Sequence, residues 1–205
     1  MARIGKPMCM VCRRNAEKLY LKGRRCESDK CPLDPRKQRK GMTLPKTSEY
    51  GIQMREKNKV KTYYGVLEKQ FRRYFSMAKK SKGVTGEILL CFLECRIDNV
   101  VYKLNWAFSR RMARQAIIHG HIFVNGKRVN RPSYQLKVGD EISVGENSRY
   151  SELAKQAIEN GRSIPVPAWL ESSDKQLKAK IVRLPTRDEI SVSVDEHLIV
   201  NFYSK

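Results

Sequence analysis

The chain has 205 residues, with 42 Lys plus Arg against 21 Asp plus Glu and a formal net charge of +21. So large an excess calls for a polyanionic partner, and nucleic acid leads the candidates. No run of 18 apolar residues is present to span a bilayer, no lipidation signal supports a membrane-surface reading, and the start, Met1-Ala2-Arg3-Ile4-Gly5-Lys6-Pro7, lacks the apolar core of a secretory signal.

The expected setting is therefore a reducing cell interior, and the length suits one or two modest cores. The charge is uneven. Residues 1 to 80 hold 23 basic and 7 acidic residues, whereas the other 125 hold 19 and 14.

Residues 1 to 45 form a basic segment with four cysteines. Cys9-Met10-Val11-Cys12 is a Cys-x2-Cys knuckle, and Cys26 and Cys31 follow as a wider pair. Four thiolates close a tetrahedral zinc site at Zn–S distances of about 2.3 Å, and such a site is structural because no ligand position stays open. Arg13, Arg14, Lys18, Lys22, Arg24 and Arg25 leave so short a segment little core of its own. One structural Zn2+ on Cys9, Cys12, Cys26 and Cys31 would explain how it folds. An iron–sulfur cluster or free thiols are the alternatives. A Pro-, Lys- and Arg-rich connector, Pro32 to Pro45, ends the segment.

Residues 46 to 95 read as helical. Ser48 is placed to cap a helix in which Tyr50, Met54, Val60 and Tyr64 sketch a partial stripe. Leu67, Phe71, Tyr74, Phe75 and Ala78 then repeat at i, i+4, i+7, i+8 and i+11, leaving Lys69, Arg72, Arg73, Lys79 and Lys80 on other faces. Thr85 can start a third helix through the most apolar stretch of the chain. Cys91 and Cys95 lie there one turn apart and read as small buried hydrophobes.

Residues 96 to 161 form a compact module. Ile97, Val100, Val101 and Leu104 have helical spacing that ends near Trp106. Ser109 to Gly120 follows as a second helix, with Ser109 to cap its first turn and Gly120 to close the last in a left-handed conformation. Met112, Ala113, Ala116 and Ile117 share one face; Arg110, Arg111, Arg114 and Gln115 share the other.

Asn125-Gly126 between two β-prone runs predicts a tight hairpin, with Lys127 and Arg128 just after the turn. Helix and hairpin together offer Arg110, Arg111, Arg114, Gln115, Asn125, Lys127 and Arg128, groups suited to a phosphate backbone held across a groove. Either piece alone is an ordinary solvated surface. The pair, in so basic a chain, reads as an RNA grip. Asp140 to Val144 predicts a strand, and Ser151 to Asn160 a short helix.

Residues 162 to 205 contain Pro-rich turns, a short strand near Ile181, alternation at Ile190, Val192 and Val194, and a final helix from Asp195. This tail is too small to stand alone and is expected to pack on the helices of residues 46 to 95. The expected fold is therefore α+β: a mainly helical, discontinuous body of residues 46–95 plus 162–205, an inserted helix–β-hairpin RNA-binding module at 96–161, and the small N-terminal four-cysteine zinc segment at 1–45.

Specific stretches now connect. Cys9-x2-Cys12 leads through Lys18-Leu19-Tyr20-Leu21-Lys22-Gly23 to Cys26 and Cys31, and Ser48-Glu49-Tyr50-Gly51 is followed by Arg55-Glu56-Lys57. Tyr64-Gly65-Val66, Gln70-Phe71-Arg72, Arg96-Ile97-Asp98-Asn99-Val100-Val101-Tyr102, the 109–129 module, Glu196-His197-Leu198 and Phe202-Tyr203-Ser204-Lys205 complete the set. Across essentially all 205 residues the chain resembles the bacterial or organellar small-subunit ribosomal protein four family in its zinc-carrying form.

The resemblance implies a structural, primary binder of the small-subunit rRNA 5′ domain that nucleates assembly of the subunit body. It implies neighbouring small-subunit ribosomal proteins as partners, a place in the small ribosomal subunit near where mRNA enters, and, for some members, repression of their own messages. One departure stands out: Lys37-Gln38-Arg39-Lys40-Gly41 replaces the family's usual Pro-Gly-Gln-His-Gly.

RNA-modifying enzymes that share the helix–hairpin module are the main alternative. Arg96-Ile97-Asp98 imitates the Arg-Leu-Asp of pseudouridine synthases, but it precedes the module and no catalytic domain follows. His119, His121 and His197 have no spaced carboxylate or cysteine partners for a triad or catalytic metal, and no nucleotide-binding loop is present, so no catalytic residues are assigned. A zinc-dependent DNA-binding regulator fits poorly, because charge spread over most of the chain suits wrapping of folded RNA. Beside the helix–hairpin residues, Tyr50, Arg55, Lys57, Lys61, Tyr64, Gln70, Arg72 and Arg73 are the expected RNA contacts of the helical region, acting by phosphate neutralisation and shape recognition.

Overall fold

A computed structural model describes residues 7–34, 48–145, 148–160, 165–173 and 176–204. The Lys37-Gln38-Arg39-Lys40-Gly41 departure and most of the connector lie outside the described residues. The chain divides into two compact units, Met1–Leu90 with Ser191–Lys205, and Cys91–Ile190.

In the first unit, α1 (Met8–Asn15) begins behind Pro7 and stops at Ala16, which takes a left-handed φ of 50°. A single 3-10 turn, Gly23–Cys26, follows. Met8, Val11, Leu19, Cys26, Cys31 and Leu33 are buried around it. The cysteine-bearing segment is not a separate body: α1 packs on α2 (Glu49–Tyr63), and Glu17 pairs with Lys59 of that helix at 2.5 Å. Ser48 caps α2 by accepting from the Gly51 N–H at 3.3 Å.

The partial stripe expected along α2 is corrected. Tyr50 and Met54 are exposed, and the helix buries Gln53, Lys57, Lys59 and Val60. The reason is the partner helix: α2 packs against the last helix of the chain, whose aromatic end tolerates a lysine stem beneath an ion pair. The stripe of α3 (Glu68–Lys80) stands as expected, with Phe71, Tyr74, Phe75 and Ala78 buried.

The apolar helix α4 (Thr85–Glu94) runs across the division between the units. Within the second unit, α5 (Ile97–Lys103) and α6 (Arg110–Ile118) pack together. They precede β1 (Ile122–Val124), β2 (Lys127–Val129), β3 (Glu141–Val144), α7 (Tyr150–Asn160), β4 (Leu170–Ser173) and β5 (Lys178–Ile181). The strands form one antiparallel sheet in the order β2-β1-β3-β5-β4. Ile122, Val124, Ile142, Ala179 and Ile181 face a core that contains Trp106 and Trp169. Burying one such side chain contributes roughly 1.5–3 kcal/mol.

The expected domain boundaries shift accordingly. Residues 165–190 do not return to the helical body, because β4 and β5 complete the sheet that β1 and β3 begin. Only Ser191–Lys205 return, as an extended stretch with Val192 and Val194 buried and then α8 (Glu196–Ser204). Alternation in this stretch reflects one-sided burial of a segment that pairs with no strand among the described residues. The body is discontinuous, as expected, but its second piece is shorter.

Candidate nucleic-acid interface

The helix–hairpin unit is punctuated as its residues require. Ser109 accepts from the Met112 N–H at 3.3 Å, and Gly120 ends the helix with φ of 74°. A Cβ at Gly120 would stand 1.8 Å from Nε of Arg128, so glycine there also lets Arg128 fold back and donate to the His119 carbonyl at 2.8 Å. Asn125 and Gly126 have φ of 50° and 73°, as a two-residue hairpin turn demands.

Of the helix residues assigned to RNA, two are partly committed inside the fold. Arg110 is buried, its guanidinium 4.4 Å above the Tyr102 ring, and Nε donates to Asn99 Oδ1 at 2.8 Å. Arg114 is half-buried and donates to Asp98 Oδ2 from Nη2 at 2.5 Å and from Nε at 3.1 Å. Arg111 and Gln115 are exposed. In the hairpin, Lys127 and Arg128 are exposed. Asn125 is exposed too, but its amide ties the turn to β3, donating to Asp140 at 2.8 Å and accepting from the Glu141 N–H at 2.9 Å. The single basic face expected of α6 is therefore two layers: an inner pair that fixes the helix and an outer pair that faces solvent.

Beneath the inner layer lies a polar network that charge counting missed. Asp98 is buried and also accepts two hydrogen bonds from Arg96, at 3.0 and 2.7 Å. Asn99 donates to the Glu94 carboxylate at 2.6 Å and to its backbone carbonyl at 3.0 Å. Charged residues at Glu94, Arg96 and Asp98 in the most apolar part of the chain were the available signal. Asp98 pairs locally, and a carboxylate 1 % exposed between two guanidiniums does not have the setting of a solvent-reaching nucleophile.

In the helical unit, Glu68 collects four donors: Lys61 at 2.6 Å, Tyr203 at 2.8 Å, and Lys57 and Arg72 each at 3.3 Å. Burial alone would raise its pKa, but hydrogen bonds from Lys61 and Tyr203 and the charges of Lys61 and Lys57 hold it at about 2. Lys57 also lies 4.1 Å over the Phe202 ring. Two of the expected contacts are buried: Lys57 is 5 % exposed and Tyr64 1 %, so both are core groups in this structure. Tyr50 is exposed with its ring 5.4 Å from Phe202; Arg55 and Gln70 are half-buried, and Arg72 and Arg73 are exposed.

Cys9, Cys12, Cys26 and Cys31 line one cavity of about 20 Å³ together with Lys18 and Lys22. Burial raises the Cys12 thiol above its ordinary value, and Cys26, Cys9 and Cys31 add to the rise. Among the described residues, however, no three His, Cys, Asp or Glu side chains form a ready-made metal-holding group. Nor, among those residues, is any helix long and apolar enough to cross a membrane. Cys95 is buried, as expected of a small hydrophobe, whereas Cys91 is half-buried.

Comparison with known proteins assigns the chain to a family. Residues 3–94 match the family described as the ribosomal protein S4/S9 N-terminal domain, and residues 95–142 match the S4 domain. The chain is 52 % identical over 208 aligned residues to the small ribosomal subunit protein uS4 of Halothermothrix orenii, covering all of both chains. It is 50 % identical, again over the whole of both chains, to uS4A of Symbiobacterium thermophilum and to uS4 of Dictyoglomus turgidum. These relatives are named for the small ribosomal subunit and none for an enzyme. With α6 and the β1–β2 hairpin inside the matched S4 domain and identity this high from end to end, the chain belongs to the uS4 family of small ribosomal subunit proteins.

Proposed function

We propose that this chain is a structural, non-enzymatic protein of the small ribosomal subunit that binds the 5′ domain of its rRNA and helps nucleate the subunit body. The observation that carries this reading is the outward layer of Arg111, Gln115, Lys127 and Arg128 on a helix that a buried polar network holds in place and a hairpin that Asn125 ties to β3. Such groups bind phosphates and read RNA chiefly by shape. The same reading has neighbouring small-subunit proteins as partners, a position near where mRNA enters the cytoplasmic ribosome, and autogenous repression as a regulatory consequence. Equilibrium binding to a 5′-domain transcript beside an unrelated structured RNA, across a salt series, tests it. Selective binding that persists as salt rises is expected. Equal binding to both, collapsing steeply with salt, would mean a generic polycation.

The zinc assignment belongs to this proposal. Four thiols around one small cavity, with Lys18 and Lys22 beside them to offset thiolate charge, fit a single Zn2+. The ion would cross-link Cys9 and Cys12 of the α1 segment to Cys26 and Cys31, stabilising a stretch with few apolar residues. Metal analysis of native particles should find zinc with this chain, and Cys9→Ser should release it and loosen residues 1–45 while the sheet unit stays folded. Particles with no zinc on the wild-type chain would overturn the assignment.

A further inference from the structure

The outer face of the five-stranded sheet carries a groove that the helix–hairpin grip does not use. It is an open groove of about 430 Å³ lined by His121, Phe123, Ser143, Ser148 and Lys178 together with Gly120, Gly126 and Gly145. The sheet register explains the composition. Ile122 and Val124 point into the core, so Phe123 points out, and Arg128, Phe123, Ser143 and Lys178 stand opposite one another in one cross-strand row.

Gly145 lets the Phe123 ring lie against the backbone: a Cβ there would come within 2.9 Å of Phe123 Cε2. Beside it, His121 is held between parallel rings, 6.0 Å from His119 and 5.8 Å from Tyr150, and its Nδ1 is 2.8 Å from Ser148 Oγ. Among the described residues, no carboxylate lines the groove. One row further along, Glu141 and Glu171 flank Lys180 in the register.

An aromatic ring with accessible area, a neighbouring oriented imidazole and a cation two strands away, about 10 Å across the sheet, match the needs of an unpaired nucleotide: a face for the base and a charge for the phosphate. We infer that this groove binds an unpaired RNA segment, with Phe123 as the base platform and Lys178 as the phosphate contact, a second RNA site beside the helix–hairpin grip. The inference rests on the rRNA-binding reading above, and none of the lining residues is among those assigned to that grip.

The test uses the full chain, with labelled hexauridylate and inorganic polyphosphate as probes, read by fluorescence anisotropy across a salt series. Phe123→Leu should weaken hexauridylate binding about tenfold and leave polyphosphate binding unchanged, because only the former stacks. Lys178→Gln should weaken both and flatten the salt dependence by about one phosphate contact. Tryptophan fluorescence confirms that each variant is folded; should Phe123→Leu fail that check, the exposed Lys178→Gln decides alone. Folded variants that bind hexauridylate like the wild type overturn the groove assignment and leave this face to a protein neighbour. Retained selectivity for the 5′-domain transcript in the same variants shows that the groove, and not the rRNA-binding reading, has failed.

Discussion

Two carboxylates organise the cations of this molecule, and they stand in different surroundings. Asp98 is shared by Arg96 and Arg114 with its side chain 2 % exposed, while Glu68 is shared by Lys57, Lys61, Arg72 and Tyr203 with its side chain 35 % exposed. In the sheet unit the buried pair fixes α6, so the residues one position away on the helix, Arg111 and Gln115, are presented to solvent by a rigid element. In the helical unit the cations themselves are gathered in, with Lys57 beneath the aromatic end of α8. The difference teaches that net charge does not count RNA ligands. Where the acids stand decides which cations build the fold and which face solvent.

The comparison breaks most readily at Asp98. Asp98→Ala leaves Arg96 as a buried charge without its carboxylate, which should cost about 3–5 kcal/mol. Urea unfolding followed by tryptophan fluorescence measures it cleanly, because both tryptophans of the chain, Trp106 and Trp169, lie in the sheet unit. A loss under about 1 kcal/mol would show that the network does not hold α6.

Glu68→Gln should have a smaller effect, on the order of 1 kcal/mol once solvent screening is allowed for, read as a lower melting temperature by circular dichroism. Its pH signature is more telling. Glu68 has a folded pKa of about 2 against an ordinary 4.5, so its contribution is fully present above pH 4.5 and is lost as pH falls towards 2. The acid-side slope of stability should therefore be shallower in Glu68→Gln than in the wild type; identical slopes would mean the cluster is not formed in solution.

Arg111→Ala and Lys127→Ala should leave stability within about 0.5 kcal/mol. Each should nonetheless weaken rRNA binding and flatten its salt dependence by about one contact.

Much of the sheet unit was legible because its signals are local. Ser109, Gly120 and Asn125-Gly126 each dictate the backbone within three or four residues of themselves. The α3 stripe was equally plain. What could not be read depended on partners distant in sequence. Lys57 is surface-like by pattern along α2, and only α8, more than 130 residues later, turns that side into core. β4 and β5 were missed as sheet members because short, lysine-bearing strands such as Lys178–Ile181 show their register only against β3. The same holds for the proposed RNA face: the sequence marks α6 and the hairpin, but the split between Arg110 and Arg111 depends on Asn99 and Tyr102 of the preceding helix.

The most direct test sets the two kinds of cation against each other on one RNA. Binding to the 5′-domain transcript would be measured across a salt series for the wild type, for Arg111→Ala with Lys127→Ala, and for Lys57→Met. The account predicts that the double variant flattens the slope of log K against log salt by about two contacts, while Lys57→Met leaves the slope unchanged. A Lys57 variant that flattens the slope as much as the double variant, or a double variant with the wild-type slope, would contradict it.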